Sequence, residues 1–269
     1  EIEHWYKKYG YRRFAFNDDV FNFDKERVKR ICDLIVEKGL KIQWELRNGI
    51  RVDKVDLEMF QKMKKAGCIY IAFGIESGVQ DVLNKMKKGA TVEQIKRAAQ
   101  FAKEAGLPAG GFFIIGLPGD NMENFKQTLK LAQELPLEEV RFYSALPYIG
   151  TEFYEIAQKN GWFTMSEEDY QNNIGVWDGQ PVIETPEFTK EERKKALEIG
   201  EKFVMKYISR KEFGPVIGTI AYWAWLPKPT RGIMKGAGVK TWAILRKIKN
   251  IMLYRTEISD RISLERLPQ

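Results

Sequence analysis

Histidine is nearly missing from this sequence and cysteine is scarce: its 269 residues include one histidine, His4, and two cysteines, Cys32 and Cys68. A single imidazole excludes a multi-histidine metal centre and a Ser-His-Asp triad. Two distant cysteines set in apolar patterns build no disulfide framework and fit a reducing compartment. No apolar run approaches the roughly 18 residues that a membrane-spanning helix needs, and the opening EIEHWYKKYG has no apolar heart of a secretory signal. A cytoplasmic chain is therefore expected. The glycine pattern of a phosphate-binding P-loop is absent, and so is a G-x-G-x-x-G turn after the first strand-like run.

What is present is a globular balance, 44% apolar and 30% charged, with enough length for one large domain or a domain plus an appendage. The net charge of +7 is unevenly spread: residues 205–269 hold 13 Lys and Arg against 4 Asp and Glu, while the rest is slightly acidic. A nucleic-acid partner along the whole domain is not expected, but a basic C-terminal appendage is.

Short β-branched and aromatic runs predict five strands: RRFAFN (12–17), KIQWELR (41–47), CIYIAFGIE (68–76), GGFFIIG (110–116) and EEVRFYS (138–144). Helical periods separate them. One helix starts near Asp24 with Val28, Ile31, Cys32 and Ile35 on one face and ends at Gly39; another carries Met59, Phe60 and Met63 before Gly67. Thr91 and Gln94 have the spacing of a capping box, with Gly106 as the stop. Strand starts 27 to 42 residues apart suit right-handed crossovers and a parallel sheet. A barrel and a doubly wound sheet both satisfy this, and the missing dinucleotide turn favours the barrel. A helix at 152–159, a polar irregular stretch from 161 to 188, and a helix capped by Thr189 and Glu192 follow.

In such sheets ligands sit at the C-terminal strand ends. The predicted strands end in Asn17, Asp18 and Asp19; in Arg47 and Asn48; in Glu76 and Ser77; in Gly116; and in Tyr143 and Ser144. Carboxylates for an ammonium, a guanidinium for a carboxylate and short polar groups for a diol suit an amino-acid nucleoside. The plainer alternative is that Asp18, Asp19 and Ser77 merely cap the next helix.

The strings FAFNDDVFNFDKERVKRIC (14–32), MKKAGCIYIAFGIESGVQDVLNKMKKGAT (63–91), GGFFIIGLPGDNMENFKQTL (110–129) and LPYIGTEFY (146–154) resemble the core of radical S-adenosylmethionine enzymes. They are most similar to the branch that carries a cobalamin-binding domain ahead of the radical domain. The resemblance implies an α/β fold, a partial (β/α) TIM-like barrel of parallel strands in which the five strands here are the family's second to sixth, the first βα unit being absent. Residues 1–160 would be this barrel, 161–204 a connector and helix, and 205–269 a basic helical appendage. It further implies that Asn17, Asp18 and Asp19 hold the methionine ammonium, Arg47 its carboxylate, Glu76 and Ser77 the ribose, and Ile115 and Gly116 the adenine. Tyr143, Pro147 and Tyr148 would border the substrate. The cofactors implied are S-adenosylmethionine, a [4Fe-4S] cluster and, in the cobalamin-linked branch, a cobalamin held by another domain. A reductase or other electron donor, and a small-molecule or lipid-like substrate, are the implied partners.

One departure is large. The family's CxxxCxxC loop has no counterpart, Cys32 and Cys68 both read as core residues, and no metal ligand is assigned. The simplest expectation is a fragment of a radical enzyme, a methyltransferase or cyclase acting on an unactivated carbon, that alone binds S-adenosylmethionine weakly and cleaves none. Two alternatives stand beside it: a cluster-free ligand-binding or scaffold module, and a peripheral membrane protein with an inert barrel. The last draws on residues 213–254. There the run FGPVIGTIAYWAWLP precedes a basic amphipathic helix with Ile244, Leu245, Ile248, Ile251 and Met252 on one face and Arg246 and Lys247 opposite. That helix suits an anionic membrane surface or, slightly better, the flank of the barrel.

Overall fold

The computed structural model describes residues 1–173 and 181–225, and the chain divides into two compact units, residues 1–204 and 205–269. The first unit opens with helix α1 (Ile2–Tyr9), closed by Gly10, and then alternates strand and helix. Its elements are β1 (Arg13–Phe16), α2 (Lys25–Glu37), β2 (Gln43–Ile50), α3 (Leu57–Lys65), β3 (Cys68–Glu76), α4 (Gln80–Lys85), α5 (Val92–Glu104), β4 (Ala109–Ile115), α6 (Met122–Glu134) and β5 (Glu139–Ser144). All pairs are parallel and each strand lies beside its sequence neighbour, in the order β1-β2-β3-β4-β5. A doubly wound sheet would reverse direction at a switch point. This progression never does, which is the winding of a TIM-like barrel.

Helix ends follow local chemistry. Asp24, Asp56, Asn121 and Thr151 each accept a backbone N–H in the first turn of the helix they precede, and Thr91 and Gln94 form the reciprocal capping box of α5. The strands alternate with a period of two. Trp44, Leu46, Ile71, Phe73, Phe113 and Val140 point to the helix layer and are buried, as are Val28, Met59, Phe60 and Ala98 facing them. Trp44 is fully buried, donates Nε1–H to the Ala66 carbonyl at 2.9 Å and packs against Phe16 and Phe21. Removing roughly 200 Å² of indole from water contributes on the order of 5 kcal/mol before entropy is counted. The opposite face of the sheet carries Arg13, Glu45, Arg47, Tyr70, Phe112 and Arg141, none of them fully buried.

Beyond β5 come α7 (Glu152–Lys159), α8 (Glu167–Asn173) and α9 (Lys190–Phe213). Helix α8 and the isolated bridges Phe163–Ile183 and Thr185–Phe188 lie in the stretch read from sequence as irregular. Phe188 and Ala196 are buried with Ile115 and Phe125, so this region completes the core over β4 and α6. In the second unit, α10 (Pro215–Trp225) exposes Val216, Ile217 and Ile220. The amphipathic basic segment 239–254 lies outside the described residues. Among the described residues no helix is long and apolar enough to cross a membrane.

Candidate functional site

The loop after β1 carries Asn17, Asp18 and Asp19, all exposed, and none caps α2, a task that falls to Asp24. Asp18 lies 3.6 Å from the Arg27 guanidinium. Asn17 and Asp18 also line a cleft of about 540 Å³ along β1, whose other wall includes Trp5 and Tyr11. Asn22, fully buried in the same loop, donates to the carbonyls of Arg51 (2.8 Å) and Lys54 (3.0 Å) and accepts from the Arg51 N–H (3.0 Å). The loops after β1 and β2 are thereby tied together.

Strand β2 continues three residues past its expected end, to Ile50. Its register with β3 slips between Leu46–Ile71 and Ile50–Phe73, so four residues of β2 advance against two of β3. Such a bulge re-aims side chains. Arg47 and Asn48 sit within it, inside the strand, and the residue at the strand end is Arg51. Its guanidinium holds Asp53 through two bonds of 2.9 Å and donates to the Lys88 carbonyl at 3.1 Å.

Glu76 closes β3 with φ of 67°, a left-handed backbone that L residues other than Asn and Asp seldom adopt. Its carboxylate folds back over Gly74 and pairs with Lys88 at 2.8 Å, both side chains being more than four-fifths buried. Arg51, Lys88 and Glu76 therefore gather at one rim. Ser77 is buried and committed to the fold: its hydroxyl accepts the Val79 N–H at 3.1 Å and lies 3.4 Å from that of Thr128.

After β4 the chain turns at Gly116, φ 88°, whose peptide is gripped from both sides. The Asp120 carboxylate accepts its N–H at 2.8 Å, and Arg193 of α9 donates to its carbonyl at 2.8 Å. A side chain at position 116 would collide with that guanidinium. Burial pushes the Asp120 carboxyl up to about 6 and the Arg193 guanidinium down to about 10. Ile115 turns its side chain into the helix layer beside Phe125 and Phe188 and its carbonyl accepts the Ala145 N–H at 2.9 Å, so the 115–116 backbone offers a ligand van der Waals surface rather than unspent hydrogen-bonding groups. At the last strand, Tyr143 faces the open side of the sheet, the buried Pro147 offers its carbonyl to the Tyr170 hydroxyl, and Tyr148 is exposed.

Sequence reasoning missed Asn22, Arg51, Lys88 and Arg193. Arg51 was hidden by the bulge that lengthens β2, and Lys88 stood inside the resembling string 63–91 without a role. Nothing local marks the burial of Arg193, because its acceptors are 5 to 77 residues away. Cys32 and Cys68 are buried, and desolvation pushes both thiols up to about 12. Among the described residues no group of three or more His, Cys, Asp or Glu could hold a metal ion. The residues present do not fit an iron-sulfur cluster.

Comparison with known proteins bears on this geometry. Residues 1–132 match the family described as the Radical SAM superfamily. An uncharacterized methyltransferase of Pyrococcus horikoshii is 34% identical over 73% of this chain and 41% of its own length. The cytidylyl-2-hydroxyethylphosphonate methyltransferase of Streptomyces wedmorensis is 28% identical over 66% of this chain and 36% of its own. This chain thus spans less than half the length of either relative. Among solved structures, the radical S-adenosylmethionine methyltransferase TsrM of Kitasatospora setae, with cobalamin and a [4Fe-4S] cluster bound, superposes with a TM-score of 0.54. It does so at 18% identity over 62% of this chain and 34% of that one, a likeness of fold.

Proposed function

The chain belongs to the radical S-adenosylmethionine superfamily, and from that premise we propose that it is the S-adenosylmethionine-binding barrel of a cobalamin-linked methyltransferase or cyclase. The names of two curated relatives favour methyl transfer, and an unactivated carbon as its acceptor is part of the proposal. The observation that carries the reading is the rim at the strand ends. Glu76 is held in a strained backbone and anchored by Lys88, and the neighbouring Gly116 peptide is fixed by Asp120 and Arg193. Strain of about 1–3 kcal/mol at a ligand-facing carboxylate is maintained only where the surroundings impose it.

The donor set fits the nucleoside. Glu76 accepts from a ribose diol, the 115–116 backbone lies along the adenine, and Arg51 and Lys88 are the cations near the methionine carboxylate. Asn17, Asp18 and Asp19 offer acceptors for the ammonium. S-adenosylmethionine supplies, when bound, the methyl group or the adenosyl fragment that the reaction consumes. The residues of this chain contribute binding, orientation and exclusion of water. Cobalamin, the cluster and the electron donor enter through the chemistry of the relatives, and no described residue is assigned to them. The tail 205–269 forms the basic appendage of this proposal, and a membrane surface or lipid-like substrate would meet it there.

Titration calorimetry with S-adenosylhomocysteine tests the reading. The chain should bind it, Glu76→Ala should weaken binding at least tenfold with an unchanged near-UV spectrum, and Asp33→Ala, on the outer helices, should not. Equal affinity in Glu76→Ala, or no binding by the wild type, rejects the site. The two buried cysteines favour a second reading, a cluster-free nucleoside-binding module. Supplying the family's CxxxCxxC segment as a separate polypeptide, with iron, sulfide and dithionite as reductant, restores cleavage of S-adenosylmethionine under the first reading and not under the second.

A further inference from the structure

The open face of the sheet holds a second recess, of about 420 Å³, within the size range of small-molecule sites. Arg47 and Asn48 of β2, Tyr70 of β3, Phe112 of β4, and Arg141 and Tyr143 of β5 line it. Its Tyr70 end lies away from the rim, since Tyr70 precedes Glu76 by six residues of strand, roughly 20 Å, while Phe112 and Tyr143 reach toward the strand ends. Arg47 belongs to the Tyr70 end, since its guanidinium lies 4.7 Å from the centre of the Tyr70 ring.

The recess is built. Gly110 has no side chain where the Tyr70 hydroxyl must pass, and that hydroxyl donates to Glu139 at 3.0 Å. Glu139 also accepts from Nε of Arg141. Glu45 lies 3.0 Å from Nη2 of Arg47, an ion pair whose Oε2 atom has no aligned hydrogen bond. Each arginine is thus steadied by a glutamate that engages one part of its guanidinium, and each remains about half exposed, at 52% and 53%. A guanidinium has five N–H donors in a planar fork, so both keep donors for an oxyanion. The facing wall is aromatic, with Phe112 and Tyr143 packed edge to face at 5.9 Å, and the Tyr143 side chain hydrogen-bonds to Arg141.

We propose that this recess binds the carboxylate of the molecule to be modified, a small carboxylic acid with an apolar or aromatic body, between Arg47 and Arg141. Two glutamates alongside make a dianionic phosphate a poorer fit than a single carboxylate. The identification of the occupant as the reaction's substrate rests on the function proposed above; the recess itself does not.

The test is calorimetry on the full chain with 3-phenylpropionate, the neutral 3-phenylpropanol, phenyl phosphate and, separately, S-adenosylhomocysteine. The carboxylate should bind, while the alcohol and the phosphate should bind at least tenfold more weakly. Arg47→Met and Arg141→Met should each weaken 3-phenylpropionate at least tenfold, with unchanged urea midpoints and unchanged affinity for S-adenosylhomocysteine. No binding of the carboxylate, equal binding of the alcohol, or preference for the phosphate overturns the proposal. So does loss of nucleoside binding in Arg47→Met, which would return that residue to the rim. If the carboxylate pattern holds while S-adenosylhomocysteine fails to bind the wild type, the recess stands and the proposed function falls.

Discussion

At Gly116 three constraints meet: a left-handed backbone, an N–H spent on Asp120 and a carbonyl spent on Arg193. Gly116→Ala adds a Cβ where the guanidinium already lies, and should cost about 2–4 kcal/mol, read as a lower urea midpoint at unchanged slope. Asp120 makes a prediction about pH. Its carboxyl titrates at about 6 in the folded chain against about 4 unfolded, so the native state holds the proton more tightly. The stability it contributes is complete below about pH 4, is lost as pH rises from about 4 to about 6, and is constant above. Two units correspond to about 3 kcal/mol. The unfolding free energy of Asp120→Asn, relative to wild type, should therefore rise by about that amount between pH 4 and 7. A difference that stays flat with pH would mean that Asp120 does not titrate there.

Helix ends are readable one residue at a time, and α5 tests how much one cap is worth. Thr91→Ala removes the hydroxyl arm of its capping box, leaving the backbone N–H to Gln94 in place, and should destabilise the chain by about 1 kcal/mol, measurable by urea unfolding. The same locality explains what could be read from sequence. β3 runs over 68–76 and α7 over 152–159 as their periods indicate, because apolar spacing and caps lie within each element. The end of β2 was not legible, since Arg47 and Asn48 look like a terminus until β3 is laid alongside and the register slips. Glu76 stood out by position, but its strained backbone and its bond to Lys88 depend on a loop twelve residues away. Ser77 looked equally available, and its burial against Thr128 belongs to α6, 51 residues on.

At the scale of the molecule, the proposed nucleoside rim and the proposed recess share one sheet, and the described residues offer no ligand group for a cluster. Anaerobic incubation with iron, sulfide, dithionite and S-adenosylmethionine should yield no 5′-deoxyadenosine, assayed by chromatography; accumulation above a chain-free blank would place cluster ligands where none are described. The grip of α9 on the fourth strand bears on how far the protein can be trimmed. A version cut at residue 160 keeps the five described strands yet strips the Gly116 carbonyl of its donor and uncovers Ile115 and Phe125. The smallest self-sufficient piece is then decided by a single arginine lying well downstream of the last strand.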